Sequence, residues 1–142
     1  MRIVFDTNVY VSALGVPGSK AELALRLADQ GAFELVVSPE ILAETRDKLI
    51  GAKFGLSKSD SDQAERFIRS FAAVVEPNIH LCVLEDEPDN RILECAVEAG
   101  ASAIVTGDKD LLALTSYAGI GIMTVAELLY TFPTLAGTPD GD

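Results

Sequence analysis

The sequence predicts an α/β fold built on a central parallel sheet. Short apolar runs alternate with longer segments of helical periodicity along the chain, the pattern of strands joined by crossover helices. Two runs, residues 3–6 and 103–108, are rich in β-branched residues and end at Asp6 and Asp108; such runs read as strands buried on both faces. Length agrees: 142 residues suit one domain, and no repeat, low-complexity tract or linker interrupts them. An open parallel sheet binds its ligand beyond the carboxyl ends of its strands. Asp6 and Asp108 are therefore expected to share one crevice. Carboxylates gathered there need a cation, which points to metal-dependent chemistry on a phosphate.

Taken in order, residues 2–6 form strand one, and residues 8–14 a short helix or turn closed by Gly15, Pro17 and Gly18. Residues 19–30 read as a helix stopped by Gly31, and residues 33–37 as strand two. Ser38-Pro39 opens a helix, with Ser as N-cap and Pro at the first position, running to about Ile50. Ser57 to Asp60 resembles a weak capping box and opens a helix to about Val75, with Phe67, Ile68, Phe71 and Val75 as core positions. Residues 79–84 are expected as strand three. A helix follows from Pro88 to Ala99, then strand four at 102–106, a short helix at 110–115 and a fifth strand at 120–123. Thr124-Val125-Ala126-Glu127 is a capping box that starts a last helix ending near Phe132. A single domain over residues 1–132 is expected, with residues 133–142, rich in Gly, Pro, Thr and Asp, fraying.

Composition sets further bounds. Apolar residues make up 49% of the chain, enough for a core without disulfides. Cys82 and Cys95 lack the spacing of a disulfide framework and read as buried free thiols in a reducing cytoplasm. The chain shows no N-terminal signal pattern, and its apolar runs are too short to span a bilayer. The net charge of −11 argues against a nucleic-acid partner. Its distribution softens that objection: Arg46, Lys48, Lys53 and Lys58 cluster against Asp47 alone, whereas residues 76–98 hold seven acids against Arg91. An acid-rich centre with a basic rim suits a metal site that guides phosphate, and Arg46, Lys48 and Lys53 are the candidates for guiding. Solvated helix faces would give the same counts.

Among single residues, Asp6 at a strand end would also serve as a turn cap, and Asp108 as a helix N-cap. Asp89 precedes Ile92, Leu93 and Ala96 at i+3, i+4 and i+7 and so shares the helix face that packs on the sheet. Its place at the positive end of the helix dipole favours its ionised form. Glu44 follows the apolar Ile41 by three residues but precedes Lys48 by four, as a surface ion pair would; Glu40 competes with it one turn earlier. His80 reads as structural, at a strand edge. Two carboxylates about 4 Å apart repel by roughly 4 kcal/mol at an effective dielectric of about 20, and Mg²⁺ or Mn²⁺, which prefer oxygen ligands, relieve that repulsion.

These segments match a family pattern in order. Val4-Phe5-Asp6-Thr7-Asn8-Val9 resembles the start of PIN-domain nucleases. Residues 37–44, Val-Ser-Pro-Glu-Ile-Leu-Ala-Glu, look like their second motif, residues 86–93 their third, and residues 105–112 their fourth. The resemblance covers about residues 1–130 and is nearest to VapC-like proteins, the toxin components of bacterial toxin–antitoxin pairs. It implies a PIN-like fold of about five strands flanked by helices on both faces. It also implies Mg²⁺- or Mn²⁺-dependent hydrolysis of RNA in the cytoplasm. By position, Asp6, Glu44, Asp89 and Asp108 become the catalytic acids and metal ligands, with Asp6 and Asp108 contacting the ion most directly. Thr106 would donate a hydrogen bond behind the acids, Asn8 would orient Asp6, and Asp110 would add a ligand or position water. A cognate antitoxin and a homodimer are implied as well; residues 111–129 are apolar enough to hide the dimer interface but would equally serve as core. Two alternatives stay open: a catalytically silent PIN-like binding module, and a phosphatase or phospho-acceptor domain using Asp6.

Overall fold

The computed structural model describes residues 1–51 and 53–132. The elements run β1 (Arg2–Phe5), α1 (Thr7–Gly15), α2 (Lys20–Asp29), β2 (Glu34–Val37), α3 (Pro39–Ile50), α4 (Lys58–Arg69), β3 (Ala73–Val74), α5 (Glu87–Ala99), β4 (Ala103–Val105), α6 (Lys109–Leu114), β5 (Ser116–Tyr117), β6 (Ile120–Met123) and α7 (Val125–Thr131). The strands form one sheet in the order β3-β2-β1-β4-β6-β5. Every pairing is parallel except β5 with β6. The expected α/β architecture is present, with six strands rather than five.

β1 lies between β2 and β4, and its Ile3, Val4 and Phe5 have no exposed surface. Successive strand residues point to opposite faces, so protein covers both faces there. The register pairs Ile3 with Ala103 and Phe5 with Val105, and the Asp6 N–H extends the ladder to the Val105 carbonyl at 2.9 Å. Both strands therefore deliver their next residues to the same edge of the sheet. α5 packs over β1, β2 and β4 with Ile92, Leu93 and Ala96 buried. Ser19, Ser38 and Ser57 each accept an amide as N-caps, and Thr124 and Glu127 close the expected capping box.

Residues 79–84 are not a strand. α5 takes their backbone donors through its side chains: Glu98 accepts from the Asn78 N–H (3.1 Å), Glu94 from Leu81 (2.8 Å), and Asn90 from Val83 (3.1 Å) and Leu84 (2.9 Å). Asn90 also donates to the Leu84 carbonyl at 2.8 Å. A third strand forms instead at Ala73–Val74, against the otherwise open edge of β2. α4 accordingly stops at Arg69, where Ser70 caps it and donates its hydroxyl to the Phe67 carbonyl. Ile68 is buried as expected, but Phe67 is 42% exposed. His80 lies in this irregular segment, not on a strand edge, with Nδ1 3.6 Å from Glu94 Oε2. Cys95 is buried and free; Cys82 is free but exposed, contrary to expectation. The short β5 folds back on β6 through Ala118 and Gly119, both with positive φ (52° and 82°), a tight hairpin turn that composition did not signal.

Asn90 is fully buried, so truncating it strands two amides and a carbonyl. Asn90→Ala is expected to cost about 2–3 kcal/mol, as buried groups losing their partners do, measured by urea unfolding with an unchanged m-value.

Candidate metal centre

Three chain segments meet beyond the ends of β1 and β4. Asp6 leaves β1 with 5% of its surface exposed. Its side chain makes no capping bond to α1, although the Asn8 amide lies close enough to favour its charge. Thr106, directly after β4 and fully buried, donates its hydroxyl to Asp6 Oδ2 at 2.7 Å and accepts the Asp108 N–H at 2.9 Å. Asp108 N-caps α6, its Oδ2 accepting from the Leu111 N–H at 3.0 Å. The first turn of α5 brings in Asp89, 5% exposed.

One carboxylate oxygen each from Asp89, Asp108 and Asp110 lies within 4.8 Å of the others. Asp89 Oδ2 is buried with no hydrogen-bond partner among the described residues. Burial pushes Asp89 up to about 7, helped by the nearby charges of Asp108, Asp86 and Asp6. Asp6 is raised too, chiefly by burial, with the Thr106 hydroxyl and the Asn8 amide opposing. A buried carboxylate with an oxygen left without a hydrogen-bond partner, gathered with other carboxylates, is a fit place for a cation. An all-oxygen donor set of this charge suits Mg²⁺ or Mn²⁺.

The remaining candidates spread around this centre. Glu44, on α3, accepts from the Thr7 hydroxyl at 2.9 Å and lies 3.7 Å from Lys48 Nζ. It thus joins the start of α1 rather than the carboxylate trio; the competing Glu40 is exposed. Lys48 donates to Asn8 Oδ1 at 2.9 Å, so Asn8 reaches Asp6 through its backbone amide while its side chain holds Lys48. Arg46 is committed to Asp62 and Glu65 on α4; it ties α3 to α4 instead of facing phosphate. Lys53 is exposed on the loop after α3. Thr7, between Asp6 and Asn8, also belongs to the site through its bond to Glu44, a role that its own sequence position does not signal. Asp110 comes closer to Asp89 and Asp108 than its minor expected role implied, a contact that its two-residue spacing from Asp108 on a helix start could have suggested.

The family model for the PIN domain matches residues 2–110. The chain belongs to the PIN-domain family. A curated relative, an uncharacterized protein of Methanocaldococcus jannaschii, is 33% identical over 124 residues, covering 80% of this chain and 75% of its own. Among solved structures, VapBC2 from Rickettsia felis, bound to a DNA fragment from its promoter, matches with a TM-score of 0.62 at 15% identity. That match covers 87% of this chain and 98% of the other. VapC20 of Mycobacterium tuberculosis, a toxin that cleaves the sarcin–ricin loop, matches with a TM-score of 0.58 at 16% identity over 84% and 98% of the two chains. At these identities the solved structures speak for the PIN fold alone. No helix among the described residues is long and apolar enough to cross a membrane.

Proposed function

We propose that this PIN domain is a Mg²⁺- or Mn²⁺-dependent endoribonuclease of the cytoplasm, acting as the toxin of a toxin–antitoxin pair. The observation that carries the reading is the gathering of buried Asp89, one of whose oxygens has no hydrogen-bond partner among the described residues, with Asp108 and Asp110 beside the Thr106-held Asp6. Asp89, Asp108 and Asp110 would hold the ion, with Asp6 at its edge. When bound, such an ion polarises a phosphoryl oxygen and lowers the pKa of water. Thr106 fixes the Asp6 carboxylate by donating to it, leaving the other Asp6 oxygen to turn toward the crevice. Glu44, steadied by Thr7, would hold a metal-bound water on the α1 side of the crevice, and Lys48 would meet the phosphate at the rim. The VapBC2 likeness supports an antitoxin as partner. Family membership turns the reading away from a phospho-acceptor domain.

Titration calorimetry with Mn²⁺ on the wild type and on the Asp6→Asn/Asp108→Asn double variant tests this, followed by cleavage of single-stranded RNA. Binding and cleavage are expected in the wild type and in neither assay for the double variant. A folded wild type that binds no metal would instead favour the silent module. A homodimer is part of the proposal. Of the two readings of residues 111–129, Leu111 and Leu128 favour core, since both are buried; the adjoining Tyr130 is 87% exposed. Sedimentation at micromolar concentration should show a dimer that Tyr130→Asp weakens.

A further inference from the structure

An open cleft of about 440 Å³ lies next to the acidic centre, lined by Asn8, Val11 and Ser12 of α1, Lys48 of α3, and Gly51, Lys53 and Phe54 of the following loop. It adjoins the Asp6 side of the centre: Asn8, which lines it, gives its backbone amide to Asp6, and the charge of Lys48 acts on the Asp6 carboxylate. The Phe54 ring is seated on the last residue of α1: a Cβ on Gly15 would lie 2.6 Å from ring atom Cδ1. Glycine there lets the ring approach the backbone and holds it in place. The Lys53 ammonium stands 5.5 Å from the ring centroid. The cleft thus holds an aromatic ring with Lys53 beside it and, across it, Lys48, which is shared with Glu44 and Asn8, in a chain whose net charge is −11. Positive charge gathered beside an aromatic platform is what single-stranded nucleic acid uses, through phosphate contacts and base stacking.

Resting on the nuclease reading, we propose that this cleft is a nucleotide subsite for single-stranded RNA, in which Phe54 stacks a base and Lys53 and Lys48 meet the flanking phosphates. The strand would then run from the cleft past Asn8 into the acidic centre. Phe54 acts there as a positioning residue, fixing which phosphate reaches the carboxylates.

The test is fluorescence anisotropy with a short fluorescein-labelled single-stranded RNA of mixed sequence, with Ca²⁺ in place of Mg²⁺, across a range of salt. Phe54→Ala should bind about tenfold more weakly, the effect of losing one stacked base, with the salt slope unchanged. Phe54→Tyr should keep the wild-type affinity. The exposed Lys53→Gln, which leaves the ring in place, should reduce the salt slope by about 0.7, as one lost single-strand phosphate contact does. Wild-type affinity and slope in both Phe54→Ala and Lys53→Gln would overturn the subsite, leave the nuclease reading standing and give the cleft to a protein partner. A wild type that binds Mn²⁺ but neither binds nor cleaves RNA would overturn the subsite and the RNA substrate together.

Discussion

Asp89→Asn is expected to move stability and function in opposite directions. Asp89 titrates near 7 because burial and the charges of Asp108, Asp86 and Asp6 all disfavour its anion. In the unfolded chain it titrates near 3.8. A folded-state pKa above the unfolded value means that folding favours the protonated form. The contribution of Asp89 to stability is therefore complete below about pH 4 and is lost as the pH rises through about 7. In EDTA at pH 8 the metal-free wild type carries this penalty and Asp89→Asn does not. The variant should be more stable there by about 2 kcal/mol, the full linkage of the shift being reduced by solvent reaching the crevice. At pH 4 the two proteins should unfold alike. Saturating Mg²⁺ at pH 8 should restore the wild type, through binding to the native state alone, and leave the variant unmoved. RNA cleavage by the variant should fall by about a thousandfold, which corresponds to roughly 4 kcal/mol of lost transition-state stabilisation. Urea midpoints at the two pH values, with and without metal, separate these effects. A wild-type midpoint independent of pH and metal would refute the cation-binding account of Asp89.

Thr106→Val should carry the second large effect. The substitution keeps the shape of the side chain and removes the hydroxyl that donates to Asp6 and accepts from the Asp108 amide. Both groups lose their partner at a fully buried position, and the expected cost is about 2–4 kcal/mol. The loss of orientation at Asp6 and Asp108 should also weaken Mn²⁺ binding by about 10–100-fold, as the removal of hydrogen bonds behind metal ligands does. Thr106→Ser, which keeps the hydroxyl, should recover most of the metal affinity. Equal affinities for Val and Ser would show that the hydroxyl serves packing alone.

What could be read from the sequence follows what each kind of residue reports. β1, β2, β4, β6 and the helices between them declare themselves through local patterns: β-branched runs, serine caps and glycine stops. The approach of Asp6 and Asp108 follows from the parallel sheet, because two adjacent strands entering the same edge must end together. The placement of Asp89 follows from helical spacing, since Ile92, Leu93 and Ala96 fix which face meets the sheet. Contacts between distant segments were not legible. Residues 79–84 have strand composition, but a strand also needs a partner edge, and in the fold the edge of β2 goes to Ala73–Val74 while α5 side chains bind amides of residues 81, 83 and 84. Two-residue strands such as β3 and β5 carry too little pattern to register. Arg46 looked available because Asp62 and Glu65, which engage it, sit on a different helix. Asn8 does reach Asp6, through its backbone amide, but the partner of its side chain, Lys48, lies far along the chain and leaves no local signal.

The ladder that α5 offers to residues 78–84 has a consequence for solubility. Ile79 to Leu84 is a short, weakly charged stretch with β-forming side chains, the kind that stacks into intermolecular sheets when its amides are free. Ile79 and Val83 remain 39% and 40% exposed, so side-chain burial does not shield it. Asn90 and Glu94 occupy the amides of Leu81, Val83 and Leu84 instead, and Glu98 takes that of the preceding Asn78; two of the three are carboxylates that would repel a copy of themselves. The helix thereby acts as a built-in gatekeeper, spending its own polar side chains to keep a sticky strand from recruiting a neighbour.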